Sequence, residues 1–427
     1  MGTLDQLTND YSRGRVPDAA TVSSYRITAV MIGAMITLPV FVMGVELSQS
    51  LGIIRGIAAF SLAGAILAGL AGATGILAAN SRLTTWLILQ YPFGTAGAKL
   101  VSAFIGVTIL GWYGATVDIF ARAVEAIVLE LGGEAVDRRL YLISASLLMT
   151  AVAFFGFKGL DRLSKLAVPI MLLVMTGLVI SAVTSFAAPT DVTPRLTVAK
   201  AVSAIVGGFS VGVTMFPDVC RYARSGKDAM VASSFSFGLG VPIIMLFAAV
   251  PVVWSGERDF LAMILVLGLG VPALLLLLLA TWTTNAYNLY SSSLVYATIL
   301  QQVRKWKLVI AVGIVGTLIS LLPILDNLLH FLNFLAVMIP PLAGVYLADF
   351  YLLHKQRYDQ ETLRQIPRFR PVAFAAWLAG AAFAYLSSID VATLTTVPAL
   401  DAIAVSFVVY VLSLRAGLVP LPRTSRS

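Results

Sequence analysis

Charge is scarce in this chain: of 427 residues only 12% are Asp, Glu, Lys or Arg, while 59% are hydrophobic. A soluble domain carries about 25% charged residues, so a water-exposed globular fold is excluded. Cysteine is almost missing. Cys220, the single one, rules out an internal disulfide and a cysteine-held metal cluster. Two histidines, His330 and His354, are too few for a histidine metal site. They also argue against the nucleophile or metal constellation that a membrane-embedded enzyme needs. The sequence has no G-x-x-x-x-G-K-[ST] phosphate loop with which to burn ATP. Its first 25 residues are polar and lack the basic, apolar and small-residue series of a cleaved signal.

What the chain does have is long apolar runs. Twelve can be marked, at about 27–48, 54–79, 100–130, 140–157, 166–187, 201–220, 229–254, 270–299, 308–323, 327–352, 372–388 and 398–414. A helix needs roughly 17–25 such residues to cross a bilayer, so these are read as spans 1 to 12 of an all-α integral membrane protein. Basic residues orient it, because they accumulate on the cytoplasmic side. With both termini inside, 22 of the 29 lysines and arginines fall in cytoplasmic stretches and 6 outside, with Arg122 inside span 3. The formal charge of +8 therefore faces anionic lipid rather than nucleic acid. The expected location is a cytoplasmic (inner) membrane.

Span 6 holds the most unusual stretch. Gly207, Gly208, Gly212 and Pro217 lie in an apolar run and make it a poor continuous helix. Span 1 carries Gly33 and Pro39 in the same manner. In lipid, broken backbone is tolerated where protein or a water-filled cavity satisfies the freed groups. Transporters use such freed groups to hold a polar solute and an ion. Close packing of small residues explains a glycine-rich span equally well. Gly33 and Gly208 are 175 residues apart, and Trp112 and Trp282 are 170 apart. That near-constant offset pairs span 1 with 6 and span 3 with 8. It predicts two five-span repeats of opposite orientation, 26–187 and 188–352, with spans 1 and 6 broken. A tail 1–25, a loop 353–371, spans 11 and 12 at 372–414 and a tail 415–427 complete the expected plan.

Thr283, Thr284 and Asn285 interrupt an aliphatic run in span 8. Threonine hydroxyls often bond back to a carbonyl one turn earlier; the alternative is a pair of oxygen ligands for sodium. Trp112 and Tyr113 in span 3 and Phe209 in span 6 stand beside glycines and offer flat faces to a planar ring, or simply to packing. Thr108 and Thr116 flank Trp112 on one helical face. Charges inside a membrane are functional candidates. Asp118, Arg122 and Glu125 can neutralise one another along one stripe, and Glu46 lies near the outer end of span 1.

Leu83-Thr84-Thr85 with Pro92-Phe93-Gly94, Gly111-Trp112-Tyr113-Gly114, Val206-Gly207-Gly208-Phe209, Asp218-x-x-Arg221, Trp282-Thr283-Thr284-Asn285 and Ile339-Pro340-Pro341-x-x-Gly344-Val345 run nearly the whole chain. Together they resemble nucleobase–cation symporter family 1, and within it the bacterial cytosine permeases. The resemblance implies a twelve-helix LeuT-like fold, two inverted five-helix repeats plus two C-terminal helices, and alternating access. It implies a planar heterocycle held between Trp112 and Phe209, with Gly208, Ser210, Thr116 and Asn285 nearby. It also implies a sodium site made of backbone oxygens at Gly33, Thr37 and Ala280 and the hydroxyls of Thr283 and Thr284. Three polar positions of the cytosine permease pattern are Ile109, Val211 and Ala280 here. A site stripped of those groups no longer matches a base's polar edge, so the ring substrate is expected to differ from cytosine or to be less polar.

The expectation is sodium-coupled symport of a nucleobase or related small heterocycle, with lipid around the protein and no enzyme activity. Sodium is the co-transported ion; no organic cofactor, nucleic acid or ATPase subunit is required. The rival is proton coupling through Glu46 or Asp118, for another nitrogenous heterocycle, a cationic amine or a vitamin precursor.

Overall fold

The computed structural model describes residues 10–130, 132–134, 136–187, 194–256, 270–321, 334–358, 363 and 366–418. Arg258, His330, Arg364, Arg423, Arg426 and the expected first part of span 10 lie outside the described residues. Helices account for nearly all the regular structure, and no strand occurs among the described residues. Among the described residues eight helices are long and apolar enough to cross a membrane, nine if one bent pair is counted as a single span. Their outer faces carry large exposed apolar side chains such as Ile54, Leu173 and Leu378. In water such a belt would be untenable; in lipid it costs nothing.

The helices overlie the expected segments, with span 5 starting at Phe157 rather than near residue 166. They run Ile53–Ser81 for span 2, Thr95–Glu130 for span 3 and Arg138–Phe154 for span 4. Phe157–Ser185 and Gly226–Ser255 form spans 5 and 7, and Gly270–Ile299 and Lys305–Ser320 form spans 8 and 9. Phe334–Leu353, Pro371–Ser388 and Pro398–Arg415 correspond to spans 10 to 12.

Span 1 is broken. Its halves, Ser24–Met35 and Leu38–Leu51, meet at an angle of 72°. Pro39 explains the position, because its ring excludes the carbonyl four residues back, which belongs to Met35, and it has no N–H to give it. Ile36 and Thr37 between them are extended. Span 6 differs from expectation. It runs as one span, Val198–Cys220, and the helix passes without interruption through Gly207, Gly208 and Gly212 to Met215. The lapse is a single residue, Phe216, ahead of Pro217. Three glycines lower helix propensity, but only proline removes a donor, and here it does so near the end of the span.

Spans 3, 4, 8 and 9 pack together as one group, and spans 1, 2, 6 and 7 as another, with span 5 touching both. The first half of span 1 reaches across to span 8. Between spans 2 and 3 the chain makes two short buried helices, Thr85–Ile88 and Gln90–Phe93. The Thr84 hydroxyl accepts the Leu87 amide, and the Asp218 carboxylate at the end of span 6 accepts the Thr85 amide at 2.8 Å. The expected N-terminal tail is not loose. From Asp10 to Val22 it lies against the ends of spans 2, 6 and 8.

Candidate substrate and ion site

A cavity of about 570 Å³ opens where the broken middle of span 1 faces spans 3, 6 and 8. Trp112 and Ile109 of span 3 line it, opposite Gly208, Phe209 and Val211 of span 6. Span 1 contributes Met35, Thr37, Met43 and Glu46, and span 8 contributes Thr284, Tyr287 and Asn288. Leu335, Ala336 and Ile339 of span 10 close one side. The wall is mostly aliphatic, aromatic and thioether, so it suits a flat, weakly polar solute.

Beside the cavity lies a cluster of oxygens. The Thr283 hydroxyl is 2.6 Å from the carbonyl oxygen of Gly33, and 3.0 Å from those of Leu279 and Ala280. The Thr284 hydroxyl donates to the Ala34 carbonyl at 3.1 Å. Span 1 ends its first half at Met35, and the carbonyls of this last turn are the ones a helix leaves without intrahelical donors. Span 8 thus turns its two hydroxyls toward the break. Thr283 brings one proton to three carbonyl oxygens, so the cluster is rich in acceptors and poor in donors.

Most residues expected at the site come together here. Gly33, Ala280, Thr283 and Thr284 share the oxygen cluster, while Trp112, Phe209, Gly208, Ile109 and Val211 share the cavity. Thr37 lines the cavity, but its carbonyl accepts the Val40 and Phe41 amides at 3.0 and 3.2 Å. Ala34, not expected, faces Thr284 in its place. A backbone carbonyl carries no side-chain signature, so only the position of the break could reveal it. Ser210 is buried with its hydroxyl given to the Gly207 carbonyl at 2.7 Å. Thr116 is also buried, bonded to the Trp112 carbonyl at 2.8 Å and the Asn285 side chain at 2.7 Å. Neither Ser210, Thr116 nor Asn285 lines the cavity.

Asn288 and Met43 are lining residues that sequence reasoning passed over. Asn288 is four residues after Thr284, so the same-face rule would have found it. The leucine, alanine and isoleucine of span 10 carry no such mark.

The membrane charges sort differently. The Asp118 carboxylate pairs with Arg122 at 3.0 Å and also with Arg138 at the start of span 4, a partner the one-helix reading missed. Asp118 therefore ties spans 3 and 4 together away from the cavity. Glu46 is exposed and lines the cavity, with no ion-pair partner among the described residues.

The model of a family of permeases for cytosine/purines, uracil, thiamine and allantoin matches residues 15–410. The cytosine permease of Escherichia coli (strain K12) is 31% identical over 379 residues, covering 88% of each chain. A hydantoin permease of Microbacterium maritypicum is 23% identical over 372 residues, or 80% of this chain and 76% of that one. Among solved structures, Mhp1, a nucleobase-cation-symport-1 family transporter in a closed conformation with bromovinylhydantoin bound, superposes with a TM-score of 0.83. It is 21% identical, with 97% of each chain covered. A sodium-coupled sialic acid symporter gives 0.70 at 12% identity, covering 98% of this chain and 96% of the other. The shared architecture is the LeuT-like fold.

Proposed function

The chain belongs to the family of permeases for cytosine/purines, uracil, thiamine and allantoin and is a membrane transporter, not an enzyme; we propose that it imports a small planar nitrogen heterocycle together with sodium. The observation that carries the ion is the donor-poor oxygen cluster at Gly33, Ala34, Ala280, Thr283 and Thr284. A hard monovalent cation takes neutral oxygens of this kind, and sodium would bridge them where hydroxyl protons now do. The ring lies between Trp112 and Phe209, beside that cluster. Occupation of one site then steadies the broken segment of span 1 that both sites share, which couples ion to solute.

The substrate is a ring that presents more apolar surface than cytosine, such as a hydantoin with an apolar substituent. Supporting this, Ile109 and Val211, at positions that are polar in the cytosine permease pattern the sequence resembles, bring aliphatic surface to the cavity. The proposed plan has two inverted five-span repeats, 26–187 and 188–352, in a twelve-span chain with both termini cytoplasmic in an inner membrane. One sodium entering down 100 mV contributes about 2.3 kcal/mol, and a roughly tenfold gradient adds about 1.4 kcal/mol. That is enough for accumulation of several hundredfold with no ATPase subunit.

The test is a thermal-shift screen of the purified protein against pyrimidines, purines, hydantoins and vitamin precursors, with and without sodium. A ring that stabilises the protein only when sodium is present supports the reading. Stabilisation indifferent to sodium, with uptake unchanged in choline and abolished by a protonophore, favours a second reading. In it the Glu46 carboxylate at the cavity is the proton carrier.

A further inference from the structure

Thr116, Asn285 and Asn288 form a chain of polar side chains leading from span 3 to the cavity. The Asn285 amide has its Oδ1 2.7 Å from the Thr116 hydroxyl and 3.3 Å from Asn288 Nδ2. Its Nδ2 is then buried without a partner. The Thr116 oxygen also lies 2.8 Å from the Trp112 carbonyl, which can only accept. A hydroxyl has one proton, so in this arrangement one of the two short oxygen pairs holds none. A half-turn of both amides removes the conflict. Thr116 then donates to Trp112, and Asn285 donates to Thr116 and to the Asn288 oxygen, which turns the Asn288 NH₂ toward the cavity that Asn288 lines.

Resting on the proposed heterocycle site, we infer that Asn288 reads the substrate's polar edge by donating from its NH₂ to a ring carbonyl or unprotonated ring nitrogen. Thr116 and Asn285 are positioning residues that set this polarity. Ile109 and Val211 bring no polar group to the cavity, and the Thr108 hydroxyl is committed to the carbonyl of Ile105.

The test measures binding of uracil, hydantoin, cytosine and 5-benzylhydantoin to purified native protein, Asn288→Leu and Asn288→Asp in sodium. The ring taken by the native chain should bind about tenfold or more weakly to both variants, since a buried acceptor loses its donor. The sodium-induced thermal shift without any ring should stay at its native value, which reports folding and an intact ion site. Native affinity in either folded variant overturns the inference and leaves the transporter reading standing. If the native protein binds no ring, reading and inference fall together.

A second, independent set of contacts lies at the cation-rich end. Residues 10–22 cross from one helix group to the other there. Toward spans 2 and 6, the Val16 and Val22 amides donate to Arg82 and Tyr222 carbonyls at 3.1 and 2.8 Å. The fully buried Arg221 donates to the Asp10 and Tyr11 carbonyls at 2.8 and 2.9 Å. Toward spans 8 and 9, the buried Asp10 carboxylate pairs with the buried Lys305. Arg13 donates to the carbonyls of Ala297, Leu300 and Val303 at the end of span 8. The cavity lies between these same two groups. Solute leaving at this end must part them, and the segment lies across the parting line.

The geometry points to residues 10–22 as a strap that locks this end and detaches when it opens. A buried ion pair suits that task. Its attraction is largely offset by desolvation, so water entering on opening rehydrates Asp10 and Lys305 and the lock is readily reversible.

Ser291 of span 8, buried one turn beyond the cavity residue Tyr287, is the reporter. Ser291→Cys in a Cys220→Ser background is labelled with a membrane-impermeant maleimide in right-side-out and inverted vesicles. Asp10→Asn and Lys305→Met should each accelerate labelling several-fold, in inverted vesicles only. Native labelling rates in folded variants overturn the strap. Should neither variant fold, hydrogen exchange at Val16 and Val22 is followed in the reporter chain alone. Exchange that rises in step with labelling supports the lock, and exchange that stays constant while labelling rises refutes it.

Discussion

Thr284 sits with its hydroxyl on the Ala34 carbonyl and one face on the cavity, so in the proposed function a single side chain touches both ion and solute. Thr284→Ala is expected to abolish the sodium-dependent thermal shift; an unchanged shift would remove Thr284 from the ion site. Trp112→Ala should weaken ring binding by roughly 1–3 kcal/mol, the worth of one stacked base, while leaving the sodium shift intact. Calorimetry with the ring found by screening checks it. The hydroxyl pair was legible in the sequence because two threonines in an aliphatic run have few reasons to be there. Ala34 was not, since its contribution is a carbonyl that every residue owns. Thr116 and Ser210 read as ligand hydroxyls in one dimension. In three dimensions both hydroxyls are bonded to carbonyls of their own helices, three or four residues back.

At the scale of elements, proline proved a better guide than glycine. Pro39 fixes the end of the first half of span 1 at Met35, four residues earlier, and Pro217 limits the lapse in span 6 to Phe216. Glycines 207, 208 and 212 remain helical. Glycine has another use where helices nearly touch. A Cβ on Gly344 in span 10 would lie 2.1 Å from the Ser406 hydroxyl and 2.3 Å from the Ile403 carbonyl of span 12. Gly344→Val is therefore expected to force spans 10 and 12 apart and to destabilise the protein by about 1–3 kcal/mol. A lowered melting temperature in detergent, with no change in the sodium-dependent increment, is the expected outcome.

For the whole molecule, the division into two helix groups with a cavity between them suits alternating access, because solute is released by moving one group against the other. In membrane vesicles an imposed sodium gradient should drive uptake of the identified ring. Replacing sodium by choline should reduce that uptake to the rate of passive leak. Saturation and counterflow exchange would separate this carrier from a channel. The 175- and 170-residue offsets between Gly33 and Gly208 and between Trp112 and Trp282 pair span 1 with span 6 and span 3 with span 8 in the proposed repeat architecture. They gave no hint that residues 10–22 are folded into it. That segment is polar and short, and its partners are up to 295 positions away.

The sequence by itself determined the membrane class, the helical segments and the break in span 1. These follow from hydrophobic run length and from one proline's missing donor, both of which are local. Which hydroxyls of span 8 meet freed carbonyls of span 1 was decided only by tertiary structure. A hydrogen bond depends on the distance and direction between groups hundreds of residues apart, and the order of residues along a chain contains neither.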